Sequence, residues 1–111
     1  MSGIKHDTGK PQLELLPTRA LTEVGKVMTF GAKKYAPNNW RGGFAWTRIL
    51  GSTLRHLFAW AGGEDVDPET GLSHLSHAAT NVLFLIEMEQ TNTGTDDRYR
   101  YDNSDTTEQS S

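Results

Sequence analysis

The sequence predicts an all-α protein, a bundle of three main helices with an N-terminal arm, completed by association of copies. Two observations carry the helical prediction. Apolar residues recur at helical spacing in three stretches, around positions 17–31, 45–61 and 72–90, and clusters of Gly, Pro and Asn separate them. A third observation carries the association: a body of roughly 90 residues buries only a modest core, and it must still cover Trp40, Trp46 and Trp60.

Residues 1–16 read as the arm, in which Gly9 and Pro11 break regular structure and Leu13, Leu15 and Leu16 are expected to lie down on the body. Pro17 and Thr18 suit the start of a first helix carrying Leu21, Val24, Val27 or Met28, and Gly31 at core spacing. Positions 35–43 form a loop by their Pro, Asn and Gly content. A second helix is expected from Ala45 to Ala61, stopped by Gly62 and Gly63, and apolar around more than half its circumference. The third is expected from Leu72 or Ser73 to Gln90, with Leu75, Ala79, Val82, Leu83 and Ile86 as its core stripe. His74, His77 and Asn81 occupy a different stripe, continued by Leu85 and Met88. Residues 17–91 thus form the helical domain, and 92–111, rich in Thr, Ser, Asn, Asp and Gln, read as a flexible acidic tail.

Composition narrows the function. The chain has no cysteine, which removes disulfides, thiolate zinc sites and thiol nucleophiles together. No apolar run is long enough to span a membrane, and a cytoplasmic protein is expected. Net charge is only -3, but it is divided. From Lys5 to Arg55 there are nine Lys and Arg against three acidic residues, and from His56 to Gly94 there are six acidic residues and no Lys or Arg. A ligand that is itself divided, phosphates bound to a cation, suits that pattern, as does simple attraction between the two halves. Because bases and acids balance, DNA and RNA are not expected partners.

The chemistry-bearing residues gather between Arg55 and Asn81. Three histidines (His56, His74, His77) and the acids Glu64, Asp65, Asp67 and Glu69 are the donors that hold divalent metals in nitrogen and oxygen sites. The spacing Asp65-x-Asp67-x-Glu69 is not an EF-hand, because Thr70 replaces the turn glycine and Ser76 the final glutamate. Asp67 could equally do no more than cap a turn. Arg48, Ser52 and Arg55 share one stripe of the second helix, so the two guanidiniums are candidates for a phosphate clamp. In the 35–43 loop, Asn39 and Trp40 could read and stack on a base; the alternative is that Trp40 plugs the bundle end.

The runs Asp7-x-Gly9-Lys10-Pro11, Phe30-Gly31-Ala32-Lys33-Lys34-Tyr35, Asn38-Asn39-Trp40, Arg55-His56-Leu57, Gly63-Glu64-Asp65-x-Asp67-x-Glu69-x-Gly71 and His74-Leu75-x-His77-Ala78-x-x-Asn81 resemble the phage dATP/dGTP diphosphohydrolase N-terminal domain family, over residues 5 to about 88. That family is similar to the all-α MazG-like nucleotide pyrophosphohydrolases. The resemblance implies a helical dimer or tetramer, a magnesium or manganese cofactor, and cleavage of a purine (deoxy)nucleoside triphosphate to monophosphate and pyrophosphate. The paired acidic helix motifs of the MazG pattern are absent here, and histidines stand where they would be, which favours manganese or another transition metal over magnesium, or a site without a metal.

The resulting expectation is a phage or prophage hydrolase with Glu64 and Asp67 as catalytic residues. Glu64, Asp67, Glu69 and His77 would hold metal. Lys34, Arg48, Arg55, His56, His74 and Asn81 would bind the substrate together with Asn39 and Trp40. The alternative is a non-catalytic phage protein that sequesters a nucleotide-derived immune signal, with Arg55, His56, His74 and His77 donating to its phosphates.

Overall fold

A computed structural model describes residues 9–100, and its described residues are helical, with no strand beyond two isolated bridges. The main elements are α1 (Thr18–Tyr35), α2 (Trp46–Ala61) and α3 (His74–Thr91), with single 3-10 turns at Leu13–Leu15 and Asn39–Gly42. Residues 1–8, including Lys5, His6 and Asp7, and 101–111, including Tyr101, lie outside the described residues.

Each helix end has a local cause. Ser73 caps α3, its hydroxyl accepting the Leu75 N–H at 3.1 Å. At the other end of the preceding loop, α2 stops in a Schellman turn. Gly63 takes φ 101, its N–H donates to Trp60 O, and the Glu64 N–H reaches back to Ala59 O. That turn points Glu64 towards the start of α3.

The N-terminus of α2 has no capping side chain of its own; its cap comes from the far end of the chain. Asp97 accepts the Thr47 N–H at 2.9 Å and the Thr47 hydroxyl at 2.5 Å. Trp46 Nε1–H donates to Thr93 O, and the Trp46 and Thr95 backbones bond as well. Residues 92–97 therefore form a strap, so the first part of the expected flexible tail is tied to the bundle.

α3 is the central helix, and α1 and α2 both pack on it. Pairings across α2 and α3 run in opposite senses: Trp46 meets Thr93, Ser52 meets Asn81, and His56 meets His77 and His74. The two helices are therefore antiparallel.

The core differs from the expected one, most clearly on α3. On α3 the buried residues are His74, Ser76, Ala78, Thr80 and Met88, while Leu75, Val82, Leu83 and Ile86 are exposed. The stripe carrying the histidines faces inward, and the apolar stripe faces out. Along α2, Ile49 and Thr53 are buried, whereas Leu50, Leu54, Leu57, Phe58 and Trp60 are open, so only one of the two sides expected to be covered is covered within one chain. The arm leucines also differ from expectation, since Leu13, Leu15 and Leu16 are exposed. On α1, Val24 and Val27 are buried as expected, but Leu21 and Met28 are not.

Candidate active site

The loop between α2 and α3 folds back on itself. Asp67 N–H donates to Leu72 O, His74 N–H donates to Asp65 O, and Gly71, at φ 70, closes the turn onto Asp67 O. This short antiparallel clasp seats the loop against the first turn of α3. It also brings Glu64, Asp67 and Thr70 beside the imidazoles of His56, His74 and His77.

Two hydrogen-bonded chains result. In the first, His74 Nε2 is 2.6 Å from a Glu64 oxygen and His74 Nδ1 is 2.9 Å from His56 Nδ1. A carboxylate only accepts, so His74 donates through Nε2. A neutral His74 then accepts at Nδ1, His56 donates from its own Nδ1, and His56 Nε2 is left without a proton or a partner. In the second chain the Thr70 hydroxyl donates to Asp67 Oδ2 at 3.2 Å and lies 2.8 Å from His77 Nε2. The rings of His56 and His77 stack between the two chains, 4.6 Å apart and within 5° of parallel.

Electrostatics keep this pair neutral. Burial lowers the His56 pKa below its ordinary value, and the neighbouring His77 and His74 push it further down. Burial lowers that of His77 as well, outweighing the opposing pull of Asp67. Among the described residues the one buried side-chain nitrogen or oxygen without a hydrogen bond is Trp40 Nε1. The bare His56 Nε2 is thus not sealed in; it opens onto accessible space.

The other expected site residues are distributed as follows. Asn81 lies one turn beyond His77 and donates to Ser52 Oγ at 3.2 Å, joining α3 to α2. Arg48 and Arg55 are exposed on the flank of α2 that carries Ser52; neither forms an ion pair among the described residues, and the Arg55 guanidinium lies back over Gly51. Lys34 and Glu69 pair with each other on the surface, which raises the Lys34 pKa. Trp40 stacks on Phe84 at 4.4 Å and carries the Arg41 guanidinium at 4.3 Å, so its ring is already engaged, as the bundle-plug alternative anticipates. Arg41 in turn bonds Asn38 Oδ1, and Asn39 opens the 3-10 turn with its N–H on Ala36 O.

Of the expected metal set, Asp67 and His77 are brought together, His77 Nε2 lying 3.6 Å from Asp67 Oδ2, whereas Glu64 and Glu69 are turned to other partners. Glu64 is spent on His74, Asp67 on Thr70, and Glu69 on Lys34. Among the described residues no three His, Asp or Glu side chains surround a space fit for a metal ion.

Thr70 and Ser52 are the site residues that sequence reasoning did not single out. Thr70 had a local signal, standing three residues after a turn-forming Asp67 and seven before His77. Ser52 had none beyond its place between two arginines.

Comparison with known proteins adds two findings. A family described as dATP/dGTP diphosphohydrolase, N-terminal, matches residues 1–98. A dATP/dGTP diphosphohydrolase of Salmonella phage PMBT28 is 38% identical over 98 residues, which cover 88% of this chain and 33% of the relative. The chain thus spans about a third of that relative's length. No solved structure matches.

Proposed function

Since the chain belongs to the dATP/dGTP diphosphohydrolase N-terminal family, we propose that it binds a purine deoxynucleoside triphosphate and hydrolyses it to the monophosphate and pyrophosphate. The observation that carries this reading is the Glu64–His74–His56 chain, in which counting donors from the carboxylate leaves His56 Nε2 bare and burial favours the neutral ring. Such a nitrogen is a general base suited to neutral pH.

In this reading His56 Nε2 takes a proton from a water as that water's oxygen attacks the α-phosphorus. The new bond is P–O; the bond from the α-phosphorus to the bridging oxygen breaks, and pyrophosphate leaves with its electron pair. The proton taken up at Nε2 is matched by a shift of the Nδ1 proton towards His74 and of the His74 proton towards Glu64. Glu64 is 54% exposed and returns the proton to solvent. Arg48 and Arg55, which form no ion pair among the described residues, are the residues available to neutralise the phosphates.

The test is chromatography of dATP or dGTP after incubation with the purified chain, with and without added magnesium or manganese. Monophosphate and pyrophosphate are expected in equal amounts. Nucleotide that binds and is recovered whole would support sequestration instead. Nucleotide that does not bind at all would exclude both.

The domain is further proposed to work as a homo-oligomer. Support comes from apolar side chains left open along α2 and α3, where Trp46, Leu50, Val82, Leu85 and Ile86 line a groove of about 250 Å³ edged by Thr47, Glu89 and Arg98.

A further inference from the structure

We propose that Thr70 is a positioning residue: it holds His77 in the Nε2–H form, so that the ring stacked on His56 carries a bare Nδ1. The inference rests on the reading of the site as a nucleotide hydrolase. It extends that reading by assigning both stacked rings the same polarity.

The assignment follows from counting protons on one hydroxyl. Thr70 Oγ1 has three neighbours at hydrogen-bond distance: Asp67 Oδ2 at 3.2 Å, Leu72 N at 3.1 Å and His77 Nε2 at 2.8 Å. A carboxylate has no proton to give, so the single hydroxyl proton goes to Asp67. The Leu72 N–H can only donate. The remaining lone pair of the hydroxyl therefore has to be met by an N–H from His77, and that proton must sit on Nε2. A neutral imidazole carries one N–H, so Nδ1 is bare. Among the described residues Nδ1 has no hydrogen-bond partner and is not among the sealed polar atoms, so it too opens onto accessible space.

Two loop residues thus set two rings through different routes, Glu64 through His74 for His56, and Asp67 through Thr70 for His77. The outcome is a pair of hydrogen-bond acceptors on parallel rings 4.6 Å apart. Such a pair accepts from a water, a hydroxyl or an amine. It does not donate to phosphate oxygens, which leaves that work to the arginines of α2 and assigns the imidazoles to the attacking water and its neighbours.

The experiment is ring nitrogen NMR on the full chain, labelled with nitrogen-15, at pH 8. His77 resonances are assigned by their loss in His77→Gln. The wild type is expected to show a protonated Nε2 and an unprotonated Nδ1. In Thr70→Val both shifts move towards the averaged values of a ring free to exchange tautomers, and in Thr70→Ser they return to the wild-type pattern. Loss of one such hydrogen bond is expected to lower kcat roughly tenfold in Thr70→Val, with KM unchanged and recovery in Thr70→Ser.

A wild-type His77 protonated at Nδ1 overturns the proposal. So does a folded Thr70→Val chain with an unchanged His77 spectrum. If Thr70→Val does not fold, the wild-type and Thr70→Ser spectra decide alone, since an Nδ1–H form in either one refutes it. A spectrum that follows Thr70 with a kcat that does not overturns the positioning role. A wild-type chain with no turnover at all overturns the hydrolase reading beneath it, whichever form His77 takes.

Discussion

His56 and His77 are held neutral at a pH where free histidines begin to charge, and this has a measurable consequence for stability. In the unfolded chain both bind protons as pH drops below about 6.5, whereas in the folded chain their lowered pKa values delay uptake. Below pH 6.5 the unfolded state therefore binds more protons than the folded one. The stability these groups contribute is complete above pH 6.5 and is lost as pH falls towards the folded values. The thermal midpoint should be flat from pH 7 to 8 and fall between 6.5 and 5. In a His56→Gln, His77→Gln chain the fall should be shallower; a fall as steep as in the wild type would contradict the assignment. At Trp40 the same kind of test separates two roles. Trp40→Phe keeps the stack on Phe84 and removes a buried N–H that has no partner, so stability should change by less than about 1 kcal/mol. KM should not change either if the ring is a plug, and should rise if it holds a base. The candidate histidines and acids were legible from residue type and spacing alone. What spacing could not give was their pairing, because Glu64 reaches His74 only through the clasp formed by Asp65, Asp67, Leu72 and His74.

At the scale of the element, periodicity found all three helices and placed the ends of α2 and α3 to within a residue or two, since Ser73, Gly62 and Gly63 are strong local signals, while α1 runs on to Tyr35 beyond its apolar stripe. It misassigned which stripe of α3 turns inward. Both stripes of α3 repeat at helical spacing, and the choice was settled by partners distant in sequence: Ser52 for Asn81, His56 for His74, and Trp40 for Phe84. The strap was illegible for a similar reason, because a polar tail gives no periodic sign that Asp97 caps a helix fifty residues earlier. Its geometry makes a sharp prediction at Gly94. That residue has φ 74, and a Cβ there would lie 2.7 Å from Phe44 O and 2.9 Å from both Met88 Sδ and Trp46 Nε1. Gly94→Ala combines a disfavoured backbone with contact against a carbonyl that cannot give way, so a loss on the order of 2–4 kcal/mol is expected by chemical denaturation. An unchanged midpoint would mean that the strap does not lie where it is described. Asp97→Ala should lower the thermal midpoint too, and more at pH 7 than at acidic pH. The Asp97 pKa is lowered by its bonds to Thr47, so the stability it adds is present above the ordinary carboxylate range and lost as pH falls through it.

At the scale of the molecule, the buried apolar side chains among the described residues are Val24, Val27, Ile49, Ala78 and Met88, a small core for three helices, while Leu50, Leu54, Leu57, Val82, Leu83 and Ile86 of α2 and α3 are exposed. Sedimentation of the chain at micromolar concentration is expected to give a multiple of its own mass, and Leu54→Glu with Ile86→Glu is expected to reduce it to one. A wild type that sediments as a single chain would contradict association. On the proposed hydrolase reading, the basic flank of α2 holds phosphate and the imidazole cluster under the loop moves the proton. The most direct measurement is the rate of pyrophosphate release from dGTP by the wild type and by His56→Gln, alongside nucleotide affinity by calorimetry. Loss of a general base predicts a rate reduced by roughly 10²–10⁴ with affinity nearly unchanged; a His56→Gln chain that releases pyrophosphate as fast as the wild type would contradict the account.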